Sequence, residues 1–187
     1  MKRPMLRSNT ALVTNIGNAL LFQALWFAAV LGAAAGWQWP PLLALLALLG
    51  WSACRRLDWR RDLQVLGCGV IVGMTFEVLW LGISGLQYQL MALDGLPPLW
   101  ILCLWGAFAQ TLLHSMAWMV KRPLMAVLFA GFGSVGSLYA GLRLGAASFD
   151  GDLPVLLASY GLCWAVTTPL LLMLAAERGA LTREPAS

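Results

Sequence analysis

Apolar residues fill six stretches of the chain, at 16–35, 40–54, 63–83, 98–119, 124–143 and 154–176, with short breaks rich in Pro, Gly or charge between them. Most approach the ~20 residues that carry a helix across the hydrocarbon of a bilayer. The pattern therefore predicts an all-α, polytopic membrane bundle of six transmembrane helices. The second stretch is short: at about 1.5 Å per residue it reaches only ~22 Å, and needs Trp39, a snorkelling Arg55 or a thinned bilayer to complete it. The longest break, 84–97, and the polar tail ERGALTREPAS leave no room for a soluble domain, so 1–187 reads as one integral membrane domain.

Within this apolar background the informative positions are polar. Glu77 lies in GMTFEVLWLGISG, about 21 Å along a helix that starts at Leu63, two thirds of the way across. An acidic side chain at that depth costs roughly 2.5 to 3.5 kcal/mol unless it is paired, protonated or beside water. Gly69, Gly73 and Glu77 recur every four residues, one stripe of a helix, and GVIVG is a GxxxG element that admits a second helix closely. Glu77 thus points into the bundle. Depth suggests Tyr139 and Arg143 as partners, one turn apart in SLYAGLRLG, with Arg143 reaching inward along its stem. The expected ligand-binding cluster is Glu77, Tyr139 and Arg143, open to the periplasm. A structural ion pair fixing helix register is the competing reading.

A second polar stripe, Gly106, Gln110 and His114, runs along the fourth stretch beside Thr111 and Ser115. His114 is about 10 Å from the inner boundary, and Gln23 of the first stretch lies at a similar depth. Gln23, Gln110 and His114 form an expected secondary polar layer. An interhelical hydrogen bond weighs above catalysis here, because the lone histidine has no positioned carboxylate. The Gly-rich GFGSVGS reads as close helix packing rather than a phosphate cradle.

Charge orients the bundle. Lys2, Arg3, Arg7, Arg55, Arg56, Arg60, Arg61, Lys121, Arg122, Arg178 and Arg183, eleven of the twelve basic residues, fall on one side, which the positive-inside rule makes the cytoplasm. Both termini belong there, and RRLDWRRD reads as a stop signal. The opposite loops carry Asp94, Asp150 and Asp152, with Arg143 at their edge. A net charge of +4 is thereby explained without nucleic acid. MKRPMLR, an apolar core and GAAAG have the outline of a signal peptide, but Asn15, Asn18 and Gln23 and the regular charge alternation favour a retained span.

Composition agrees: 60% of residues are hydrophobic, 11% are charged, and the mean hydropathy is +0.78. Trp37, Trp39, Trp59, Trp100 and Trp118 fall near segment ends, where indoles suit the headgroup layer, whereas Trp26, Trp80, Trp105 and Trp164 sit deeper. Cys54, Cys68, Cys103 and Cys163 stand singly and read as buried structural thiols. His114 is the only histidine, so no metal site or cofactor is expected. No nucleophile elbow, HExxH, Walker loop or Asp-rich motif occurs, and no catalytic residue is assigned.

NALLFQALWFAAVLGA, GMTFEVLWLGI, SLYAGLRLGA and CWAVTTPLLLML resemble an uncharacterised family of small bacterial inner-membrane proteins, defined as a domain of unknown function. The resemblance covers almost the whole chain through apolar, moderately specific motifs. It implies a bacterial inner-membrane location, no assigned activity, and a genetic neighbourhood of cyclopropane-type fatty-acid modification enzymes. The leading expectation is a lipid-associated accessory factor or amphipathic small-molecule binder, its partners membrane lipid, an amphipathic small molecule or other membrane proteins. The alternative is the substrate-binding subunit of an energy-coupling vitamin transporter, with AVLGA, residues 29–33, as an AxxxA contact. A membrane enzyme using Glu77 or His114 as proton carrier stands third.

Overall fold

Runs of Leu, Ala, Val and Trp broken by Pro and Gly fold into helices whose ends follow those breaks. In the computed structural model, which describes residues 4–55 and 59–181, the helices are α1 Pro4–Ala34, α2 Trp39–Cys54, α3 Trp59–Ser84, α4 Leu99–Leu113, α5 Pro123–Arg143 and α6 Leu153–Leu181. Pro40 and Pro123 open α2 and α5 at first-turn positions, where the missing N–H is no loss. Gly36, Gly85 and Gly145 follow α1, α3 and α5 with φ of 79°, 70° and 82°, a conformation that suits glycine. Lys2, Arg3, Arg56 and Arg183 of the charge pattern lie outside the described residues.

Four helices contain segments long and apolar enough to cross a membrane: Ala11–Ala34, Trp59–Ser84, Pro123–Arg143 and Leu153–Ala176. Their outward faces carry large apolar side chains such as Ile71, Ile83, Phe132 and Leu162, each more than two thirds exposed, as a lipid-facing surface does. The α2 and α4 helices are apolar but shorter. For α4 the reason is its position. It packs on α1, α2, α3 and α6, and most of its residues are buried.

The fourth stretch does not continue to 119 as one helix. His114 leaves helical geometry at φ −121° and ψ −91°, the Met116 N–H closes on the Thr111 carbonyl at 2.7 Å, and a 3-10 segment, Ala117–Lys121, follows. Neither Gly nor Pro marks this break. Long-range hydrogen bonds of His114 and Ser115 accompany it.

At the opposite end two loops meet. Strand β1, Gln87–Tyr88, pairs antiparallel with β2, Ala147–Ser148, placing Tyr88 opposite Ala147. Gln89 N–H donates to the Ala146 carbonyl, and the Trp100 indole donates to the Gln89 carbonyl, both at 2.9 Å. The chain is therefore helical with a two-stranded clasp, a feature absent from the periodicity. Trp100, the second residue of α4, is buried and tied to the clasp by its indole. Trp37, Trp39, Trp59 and Trp118 are exposed near helix ends, as expected, while Trp80 and Trp105 are core residues. Of the cysteines only Cys103 is buried; Cys54 and Cys68 are exposed, contrary to the expectation of four buried thiols.

Candidate functional site

The Gly69–Gly73 stripe does bring a helix close. A Cβ at Gly69 would stand 2.5 Å from Ala109 Cβ, and one at Gly73 would overlap the Trp105 ring. The missing side chains let Trp105 of α4 pack directly against α3. Its indole N–H then reaches Glu77, one turn further along, donating to Oε1 at 2.9 Å. From the clasp, the Tyr88 hydroxyl donates to Oε2, also at 2.9 Å. Burial holds the Tyr88 phenol protonated, well above its ordinary range, with nearby Glu77 adding to the effect. Glu77, only 1% exposed, therefore has one neutral donor on each oxygen.

Glu77 also lines a cavity of about 380 Å³. Phe22, Gln23 and Trp26 of α1, Trp105 and Phe108 of α4, Gly133, Gly136 and Ser137 of α5, and Tyr160, Trp164 and Thr168 of α6 share its wall. Trp105 and Trp164 stack at 4.8 Å and 24°, and Phe108 meets Trp164 edge-on at 5.2 Å. The α5 helix packs chiefly on α6, and the Trp26 indole bridges to Ser137 Oγ at 2.7 Å. Gln23, Phe129, Gly133 and Gly136 are exposed, so the cavity reaches the surface at the seam between α1 and α5. A Cβ at Gly133 or Gly136 would meet nothing, whereas Gly161 carries the close α5–α6 contact beside Gly131 and Val135. GFGSVGS thus divides its glycines between packing and cavity.

The family comparison matches residues 15–170 to the family described as Protein of unknown function (DUF2878). The chain belongs to the DUF2878 family. No curated protein and no solved structure matches it.

In this DUF2878 member Glu77 is not joined to Tyr139 and Arg143. Both are exposed on α5, neither lines the cavity, and no ion pair links Arg143 to Glu77 among the described residues. The carboxylate turns instead to Tyr88 and Trp105, which the depth argument passed over. No residue of either clasp loop lines the cavity, so the expected opening through that end is replaced by one at the helix seam.

The secondary layer is assembled differently as well. His114 Nε2 lies 3.0 Å from Asp62 Oδ1, and Gln110 donates through Nε2 to the Asp62 carbonyl. Asp62, 2% exposed, sits in the first turn of α3, which begins at Trp59 rather than Leu63. It is the positioned carboxylate that the histidine lacked in the sequence. Ser115 Oγ donates to Asn18 Oδ1 at 2.7 Å, tying α1 to the same region. Asp62 Oδ2 and Gln110 Oε1 are buried and accept no hydrogen bond among the described residues. Gln23 is separate from this layer: it is exposed and lines the Glu77 cavity.

Proposed function

We propose that this DUF2878 member is a multi-pass protein of a bacterial inner membrane that binds an amphipathic small molecule or lipid in the Glu77 cavity. The topology proposed is six spans in one unit, both termini cytoplasmic, with the clasp on the periplasmic side. The observation that carries the binding reading is a buried carboxylate on the wall of an aromatic cavity that reaches the lipid-facing surface. Its volume, about 380 Å³, falls within the ~300–1,000 Å³ of small-molecule sites. A carboxylate fixes a polar head, and the aromatic and aliphatic walls accept an apolar tail. Access between α1 and α5 would let the ligand enter from the bilayer without crossing the clasp. The transporter alternative gains nothing from AVLGA: Ala29 and Ala33 are buried inside the chain's own core.

Native mass spectrometry of the protein released from mild detergent tests the reading. The wild type is expected to carry a bound small molecule, and Gly136→Trp, which adds an indole at a lining position with open space around it, to fold and lose it. A wild type without adducts, or equal retention by a folded Gly136→Trp protein, would overturn it.

A further inference from the structure

We propose that the ligand of the Glu77 cavity is an organic monocation: an amine or quaternary ammonium group carrying an apolar tail. This inference rests on the binding reading above and specifies its chemistry. Glu77 is buried with only neutral donors on its two oxygens, and each carboxylate oxygen can accept more than the single bond it holds. Among the described residues no Lys, Arg or His lines the cavity, so its described wall offers no countercharge. Seven of the lining residues are aromatic. Their ring faces are negative and attract cations, most strongly where water is excluded.

The alternatives fit less well. An anionic head would face Glu77 with no basic side chain to offset the repulsion in a low-dielectric site. A phosphate-bearing zwitterion meets the same difficulty at its phosphate. A sugar-like head would need many polar partners, but Ser137 is engaged with Trp26 and Ser134 with the Gly131 carbonyl. Gln23 and Thr168 also line the wall: Gln23 lies at the exposed rim, and Thr168 Oγ1 is buried with no hydrogen-bond partner among the described residues. Thr168 stands two turns beyond Tyr160 on α6, about 12 Å at ~1.5 Å per residue. The cavity therefore accommodates a cation at Glu77, an apolar tail, and one further polar group near Thr168. Membrane amine lipids and dissolved lipophilic amines share this chemistry.

The test is equilibrium binding of tritiated dodecyltrimethylammonium and tritiated dodecanol to the full chain in nanodiscs of uncharged lipid, with empty nanodiscs subtracted. The wild type should bind the cation saturably, at least about tenfold more tightly than the alcohol. Glu77→Gln should abolish that preference, and Gly136→Trp should remove saturable binding of both probes. Equal wild-type affinity for the two probes would overturn the cation inference while leaving the binding reading intact. Absence of saturable binding by either probe would overturn both. The wild-type comparison decides the matter even if Glu77→Gln does not fold. An amine-bearing lipid co-purifying with the wild type would identify the bilayer as the source; binding of the added cation alone would identify a solute.

Discussion

The Trp105 indole donates to Glu77 Oε1 at 2.9 Å because its ring occupies the space that a side chain at Gly73 would fill. Gly73→Ala should consequently destabilise the bundle, by about 1–3 kcal/mol for an overpacked core. Gly82→Ala, on the same helix with open space around it, should have the opposite sign and stabilise by roughly 0.5–1 kcal/mol. Thermal unfolding of the two variants in one detergent checks the contrast. Equal shifts would show that the α3–α4 approach does not depend on Gly73.

Glu77 should couple energetically to Tyr88 and not to Arg143. Tyr88→Phe leaves Oε2 without its donor, and an unsatisfied buried acceptor costs about 1–3 kcal/mol. In double-mutant cycles built on Glu77→Gln, Tyr88→Phe is expected to be non-additive. Arg143→Gln, an exposed substitution, should add to within ~0.3–0.5 kcal/mol. Strong coupling to Arg143 would restore the cluster anticipated from depth.

The Asp62–His114 contact predicts a graded series. Asp62→Ala should lower stability by about 0.6–2 kcal/mol, the range of interhelical hydrogen bonds in membranes. Asp62→Asn should do less harm, because the amide oxygen can still face His114. His114→Gln should keep both fold and function. A well-folded His114→Gln protein with no activity would instead assign proton transfer to the pair.

Topology is open to a direct check. Reporter fusions after Leu96 and Asp152 should read as external, and those after Arg61 and Lys121 as internal. The reverse pattern at any one junction would remove the corresponding span.

Much of the helical frame was legible because lipid imposes a simple code: long apolar runs, with glycines four apart where helices touch. The stripe Gly69, Gly73, Glu77 follows it, and the structure places it against α4. What Glu77 bonds to was not legible. Tyr88 sits in a loop with no period, held by pairing with a second loop nearly sixty residues away. Trp105 resembled any other apolar residue of its helix. Choosing Arg143 assumed that opposite charge governs pairing, whereas neutral donors satisfy this carboxylate. Asp62 was concealed by its neighbours, since four arginines around it made the segment read as a charge signal. Its burial depends on where α3 begins, which hydropathy fixes only to within about a turn.

The donors that satisfy Glu77 come from later in the chain, 11 and 28 positions downstream. As synthesis proceeds, α3 emerges with its glutamate before either donor exists, and a lone acidic residue at mid-bilayer carries a penalty of roughly 2.5–3.5 kcal/mol. Entry of α3 and α4 together, as a hairpin with Trp105 already opposite Gly73, removes that exposed stage. Both donors follow their acceptor in the sequence, and this order favours entry of α3 and α4 as a pair over entry of α3 alone.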